Sequence, residues 1–374
     1  MASIALSVSF FTSVLLVILS RLHAVGRDDL QADQASHTQP TSRFGGIAIV
    51  LGLCAALPVL PEIERDMLFK LILCALPVFI AGVLEDAGWR VAPIWRLSAT
   101  FGSSLLAILV FGLMIPRMGF AALEGVLAYP LPAFLLTALV LAGVSQSFNL
   151  LDGLNGLTGM TALIASGALA LIGLRTGHAS LVQLLCGVMA TVGGFLFVNF
   201  PRGLLFLGDA GAYVLGFVLA CFAVAMMQQE PDLSPWAVLL VFFWPLADMI
   251  FAILRRLGQH RSPFRADKLH FHHVVMRCFD IRILRKKRSA VSNPVATVIL
   301  LPFMAAPAFL GTVVWNQNEW AFALLSLVAI LFVMAYRRLV LAAQRRNSAI
   351  FDRQGRNWQR KSFKRRKLFS RFPF

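Results

Sequence analysis

Apolar residues run along this chain in long blocks separated by short polar islands, and the block lengths set the fold. Eleven blocks, at about 3–20, 44–60, 67–84, 97–115, 131–148, 157–174, 180–200, 210–228, 236–257, 293–315 and 320–340, approach or reach the length of a bilayer-spanning helix, which takes roughly 20 residues at helical rise. The alternating strands of about ten residues that build a membrane barrel are not seen. The pattern predicts an all-α polytopic membrane protein of about 11 spanning helices, with a membrane-embedded unit over 1–340 and a basic tail over 341–374. The first block, Ala2 to Ser20, has no basic stretch before it and no convincing cleavage site after it, so it reads as a retained span rather than a signal peptide.

Composition agrees. With 58% hydrophobic and 14% charged residues over 374 positions, a soluble domain is excluded. The net charge of +16 then has a topological reading, because 30 of the 34 Lys and Arg fall on one side if the amino terminus lies outside. The positive-inside rule therefore predicts an outer amino terminus and a cytoplasmic carboxyl terminus. It also accounts for the excess charge without nucleic acid. The tail from Arg345 mixes basic residues with Trp358, Phe363, Phe369, Phe372 and Phe374, a composition suited to the anionic lipids of the inner leaflet. Cys54, Cys74, Cys186 and Cys221 lie within apolar blocks and Cys278 in a basic loop, with no metal or redox spacing.

The outer connections are mostly short and plain, so the chemistry is expected on the inner face. There the polar islands are distinctive. Asn149, Asp152-Gly153 and Asn155-Gly156 stand between two spanning blocks; a carboxylate at that depth needs a partner that lipid does not offer. Asp152 as a helix cap explains one side chain but not the two carboxamides. Arg43, followed by Gly45-Gly46, reads either as a charge anchor or as a bidentate phosphate contact. Glu85-Asp86 read either as salt-bridge partners of Arg90 and Arg96 or as catalytic acids. Asp209, between Gly208 and Gly211 at a helix start, suits a cation that bridges to phosphate, with helix capping as the plain alternative. Asp248 is expected to pair with Arg255 or Arg256. Arg265, Asp267, His270, His272 and His273 form a basic, histidine-rich segment suited to phosphate or nucleotide, with zinc as the rival.

Taken in order, these islands resemble the polyprenyl-phosphate N-acetylhexosamine-1-phosphate transferases, glycosyltransferase family 4. The resemblance covers roughly 37–280. It rests on His37 with Pro40, Arg43 and Gly45-Gly46; Glu85-Asp86; Asn149 with Asp152-Gly153 and Asn155-Gly156; Gly208-Asp209 with Gly211; and Asp267 with His270, His272 and His273. The last pattern, after Ser262-Pro263-Phe264, is similar to that of the N-acetylglucosamine-type branch. Three positions depart from the family pattern: Glu85 and Asn155 stand where Asp is usual, and Ala212 where Ser is common.

The resemblance implies transfer of a sugar 1-phosphate from a UDP-sugar to undecaprenyl phosphate in the bacterial inner membrane, with a periplasmic amino terminus, to start an O-antigen-like glycan. It implies Mg²⁺, or Mn²⁺, held by Asp209. Asp86, Glu85 and Asp152 would be catalytic, with Asp86 first choice to take the proton of the lipid phosphate or orient it. His37, Arg43, Asn149, Asn155, Arg265, Asp267, His270, His272 and His273 would bind substrate. A homodimer is compatible with this reading. A transporter of an anionic solute is the rival class, favoured only by Asp248.

Overall fold

In the computed structural model, residues 1–22, 41–260, 269–284 and 289–353 are described. They fold into helices: α1 (Ala2–Leu22), α2 (Gly45–Ala56), α3 (Glu62–Asp86), α4 (Pro93–Phe111), α5 (Ala121–Leu127), α6 (Pro130–Leu151), α7 (Leu157–Thr176), α8 (Ala179–Asn199), α9 (Gly208–Gln229), α10 (Pro235–Val241), α11 (Phe243–Leu257), α12 (Phe271–Phe279), α13 (Ser289–Val313) and α14 (Asn318–Arg353). Among the described residues nine helices are long and apolar enough to cross a membrane, or ten if α10 and α11 count as one broken span.

Two of the eleven expected spans therefore take another form. The block at 44–60 is the short α2 extended by a 3-10 turn, Leu57–Val59. The block at 236–257 breaks into α10 and α11, bent by 85°. Pro245 explains the break: it has no N–H for the carbonyl of Val241, so the ladder is interrupted one turn before it. The short α5 and α12 lie in segments that the block lengths left as connections.

The bundle is built around α9. Every residue from Gly208 to Met227 is buried, and α2, α3, α4, α6 and α7 pack around it. Small residues make this possible: Gly216 meets the backbone of Ser145 on α6, and Ser145 Oγ donates to the Tyr213 carbonyl at 2.9 Å. At the far end of α9, the Arg117 guanidinium donates to the carbonyls of Met227 (3.1 Å), Glu230 (2.7 Å) and Leu233. These include carbonyls that the helix end leaves unsatisfied. Arg117→Met is expected to lower stability by about 2 kcal/mol, the scale of charge-assisted bonds to buried acceptors. Thermal unfolding in detergent measures it, and an unchanged midpoint would show that these bonds contribute nothing.

A second apolar core, with Leu151, Leu154, Phe243, Trp244, Phe271 and Phe332, seats α12 against α11, α13 and α14. This core brings the histidine segment to the same end of the bundle as the start of α9.

Candidate active site

The start of α9 is fixed by a strand-like pairing. Ser42 and Leu205 form an isolated parallel bridge. The Phe206 N–H donates to the Ser42 carbonyl at 2.8 Å, and the Gly45 and Gly46 N–H groups donate to Phe206 and Leu207 at 2.9 and 2.8 Å. The first amides of α2 are thus satisfied by the segment leading into α9. Gly45 is required for this approach, since a Cβ there would lie 2.5 Å from the Phe206 carbonyl oxygen. Gly208, with φ of +74°, turns the chain into the helix. Arg43 and Asp209 are thereby set side by side.

Asp86, the last residue of α3, is 3% exposed. Its Oδ1 accepts the Asp209 N–H at 2.9 Å and its Oδ2 the Ala210 N–H at 3.0 Å, while Arg43 Nε lies 3.4 Å from Oδ1. The carboxylate caps α9 from a neighbouring helix, where the dipole favours negative charge. Gly82, one turn earlier, allows the contact; a Cβ there would sit 2.9 Å from the Asp209 carbonyl carbon.

Asp209 is 6% exposed and gripped from both sides. Oδ1 accepts from Arg43 Nη2 at 2.8 Å and Oδ2 from Arg96 Nη1 at 2.7 Å. Arg96 also lies 3.9 Å from Glu85 Oε1. Glu85 Oε2 is buried and has no hydrogen-bond partner among the described residues. Three carboxylates, Glu85, Asp86 and Asp209, therefore share two guanidinium groups.

Asp152 adds a fourth carboxylate from the α6–α7 turn. It accepts from Thr158 Oγ1 at 3.2 Å, with the Gly208 amide and the Arg43 charge also favouring its ionised form. Burial outweighs these partners and pushes its pKa up to about 7. Asn149, one turn earlier on α6, donates Nδ2–H to the Tyr213 hydroxyl at 2.9 Å.

The histidines join this edge from α12. A Cβ on Gly153 would lie 2.6 Å from His272 Nε2 and 3.1 Å from His273 Cε1, so the glycine gives the rings room beside Asp152. Asp248 holds the segment in place: its Oδ2 lies 3.1 Å from His270 Nδ1 and 3.4 Å from His272 Nδ1, and its Oδ1 accepts the Phe271 N–H at 2.9 Å. Burial lowers the pKa of His272, and burial with the neighbouring histidines lowers that of His273 to about 2. His272 and His273 are thus neutral at physiological pH.

The expected pairing of Asp248 with Arg255 or Arg256 is corrected by these contacts. Arg255 instead donates to the Leu269 carbonyl at 3.1 Å and to the Tyr336 hydroxyl at 2.8 Å, and its guanidinium lies 5.7 Å from the Tyr336 ring centre. The alternative pairing of Glu85-Asp86 with Arg90 and Arg96 divides: Arg96 bridges Glu85 to Asp209, and Arg43 approaches Asp86. His270 precedes α12 in an extended conformation while His273 lies within it, so the two do not share a helix face.

Asn155 is placed apart from this cluster. Its N–H donates to Asn293 Oδ1 at 2.7 Å, its Nδ2 to the Pro201 carbonyl at 2.9 Å, and its carbonyl accepts from Thr297 Oγ1 at 2.8 Å. These contacts tie the turn to the 199–203 segment and to α13. His37, Arg265, Asp267 and the tail beyond Arg353 lie outside the described residues.

The structure brings together Arg43, Glu85, Asp86, Asp152 and Asp209, with Asn149 and the histidines beside them. It adds Arg96 and Tyr213. Arg96 stands at a helix start like Arg43 and had a sequence signal; Tyr213, one turn beyond Asp209 inside an apolar block, had only its spacing.

Residues 68–227 match the family described as Glycosyl transferase family 4. The chain is 30% identical over 303 residues to the decaprenyl-phosphate N-acetylglucosaminephosphotransferase of Mycobacterium leprae (strain TN), covering 71% of this chain and 73% of that protein. It is 28% identical over 282 residues to the undecaprenyl-phosphate alpha-N-acetylglucosaminyl 1-phosphate transferase of Escherichia coli (strain K12), covering 73% and 75%. A protein of Bacillus subtilis (strain 168), named a probable undecaprenyl-phosphate N-acetylglucosaminyl 1-phosphate transferase, is 26% identical over 285 residues, covering 73% and 78%.

Proposed function

Since the chain belongs to glycosyl transferase family 4, we propose that it transfers N-acetylhexosamine 1-phosphate from a UDP-sugar to a polyprenyl phosphate in the bacterial inner membrane. The observation that carries this reading is the convergence of Arg43 and Arg96 on Asp209 at the capped start of α9, with Asp152 alongside. Undecaprenyl phosphate is the acceptor and UDP-N-acetylglucosamine, or a related UDP-2-acetamido sugar, the donor. The product would start a cell-envelope glycan. On the positive-inside pattern this end of the bundle would face the cytoplasm, the side that supplies UDP-sugars.

An oxygen of the lipid phosphate attacks the sugar-bearing phosphorus; the new P–O bond forms as the bond to UMP breaks, and UMP leaves with the electron pair. Arg43 and Arg96 counter the charge of the two phosphate groups that must meet. Asp86 or its neighbour Glu85, one of whose oxygens has no donor among the described residues, would orient the acceptor phosphate or take its proton. Asp86 holds the Asp209 backbone through its two amide contacts.

The site suits Mg²⁺ or Mn²⁺. No group of three or more His, Cys, Asp or Glu forms a complete ligand set among the described residues, but Mg²⁺ usually takes one or two carboxylates, with water and substrate phosphate completing its shell. Asp209, with Asp152, would hold it, and the orphaned Glu85 oxygen marks the same excess of hard acceptors. When bound, the ion neutralises the donor diphosphate and stabilises charge on the leaving phosphate.

Asp152 gives this assignment a pH signature. Its pKa of about 7 is above the ordinary carboxylate value, so folding favours the proton; without a cation, stability present at low pH is lost as pH rises toward 7. A cation needs the ionised form. The half-saturating Mg²⁺ concentration should therefore rise about tenfold per unit as pH falls below 7 and level off above it. Mg²⁺ titrations of turnover at three pH values measure this. An equally steep dependence in Asp152→Asn would remove Asp152 from the effect.

The reading itself is tested by incubating membranes containing the protein with labelled UDP-N-acetylhexosamines, undecaprenyl phosphate and Mg²⁺. Labelled lipid with release of UMP is expected, and the product mass identifies the sugar. No product from any donor would overturn it.

A further inference from the structure

The histidine segment is gripped at its entrance by a contact whose hydrogen-bond directions are forced. The Leu269 carbonyl, immediately before His270, lies 2.9 Å from the Tyr336 hydroxyl and 3.1 Å from Arg255 Nη1. Arg255 Nη1 lies 2.8 Å from the same hydroxyl. A guanidinium only donates and a carbonyl only accepts, so the phenol accepts from Arg255 and gives its proton to Leu269. Tyr336 belongs to α14 and is 6% exposed; it and Arg255 both lie outside the residues matched to the family.

The grip has a second point on the same helix face. Asp248 precedes Arg255 by two turns of α11. It takes the Phe271 N–H at 2.9 Å and lies 3.1 Å from His270 Nδ1. One face of α11 therefore holds the backbone of 269–271 by a carbonyl and an amide, and α14 closes the grip with one phenol. Phe251, between the two points, packs edge-on against the Tyr336 ring with centres 4.6 Å apart. The chain that leaves this grip carries the rings to the α6–α7 turn, where His272 Nε2 would lie 2.6 Å from a Cβ on Gly153. That nitrogen is buried and has no hydrogen-bond partner among the described residues.

We propose that Tyr336, with Arg255, is a positioning residue for the transfer reaction: its hydroxyl fixes the Leu269 carbonyl and so sets the histidine segment beside Asp152. This role rests on the transferase reading and assigns Tyr336 no contact with substrate. Neutral imidazoles hydrogen-bond and do not counter charge, so His272 and His273 suit the uncharged sugar or base of the donor. Contacts of that kind form on binding and persist through transfer, and their loss appears in donor KM.

The test uses the full chain in membranes or detergent, with UDP-N-acetylglucosamine or the donor found in the screen. Tyr336→Phe keeps the ring and is expected to raise donor KM about fivefold, the scale of one net hydrogen bond, with kcat within about twofold. Its thermal midpoint should stay near that of the unsubstituted protein. Arg255→Lys keeps the charge but not the planar fork, and should move KM in the same direction. A second readout does not need turnover: carbethoxylation of His270 and His272, both buried, mapped by mass spectrometry, should be several-fold faster in both variants. Unchanged KM and unchanged modification rates would overturn the proposal. So would a lowered thermal midpoint with KM unmoved, the mark of a purely structural contact, or a loss confined to kcat. Absence of turnover in the unsubstituted protein, with faster histidine modification in the variants, would instead remove the transferase reading while leaving the grip on the segment demonstrated.

Discussion

Asp209→Asn is expected to reduce turnover by roughly 10³-fold, the several kcal/mol that a bound cation and its carboxylate supply to a phosphate reaction, while leaving the protein's abundance in the membrane unchanged. The substitution keeps the shape of the side chain. It replaces one carboxylate oxygen with an NH₂ group that faces a guanidinium donor, because Arg43 and Arg96 each hold a different oxygen at 2.8 and 2.7 Å. One arginine must let go, and the charge that would anchor a cation is lost. The cap on α9 survives, since Asp86 binds backbone amides and not the Asp209 side chain. Labelled lipid formed per unit of immunodetected protein measures the effect. Full activity would take Asp209 out of the cation site.

Asp86→Asn should behave differently. Both of its oxygens accept backbone N–H groups, so a carboxamide necessarily aims a donor at one of them and leaves a buried amide unpaired. It also removes the charge facing Arg43. A loss of about 3 kcal/mol in stability is expected, the lower end of what breaking a buried charged pair costs, and turnover should fall by about 10² as Asp209 shifts with its backbone. Thermal unfolding and turnover must fall together. If Asp86→Asn unfolds at the normal temperature yet is inactive, the carboxylate acts on substrate and not on α9.

Much of the fold was legible in the length of the apolar blocks. The exceptions are instructive. The block at 236–257 has the hydropathy of one span, but Pro245 breaks its ladder, and hydropathy averages are blind to a single missing N–H. The α2 block is likewise cut short, ending in a 3-10 turn. The polar islands identified the acids because a carboxylate at a membrane edge needs a reason. They did not show which acid faces which partner. Asp86 and Asp209 are 123 residues apart, and their meeting depends on Gly82 and on the Ser42–Leu205 pairing. Asp248 looked like a partner for the arginines one to two turns along its own helix, whereas its carboxylate meets His270 and His272, more than twenty residues further on. Asn155 was grouped with Asn149 by proximity in sequence, yet the turn sends the two carboxamides to different partners. Tyr213 was hidden because one aromatic in an apolar block carries no signal until its hydroxyl is seen to have a partner.

The complete burial of the α9 window separates the candidate site from the lipid around the bundle. Only 17% of the apolar window of α1 and 11% of that of α14 are buried, against all of that of α9. When the bilayer thickens or thins, lipid-facing helices absorb the mismatch by tilting. Asp209 stands on a helix whose residues from Gly208 to Met227 are all covered by neighbouring helices, so changes of temperature or lipid composition that strain the rim of the bundle should reach the candidate site only through those helices.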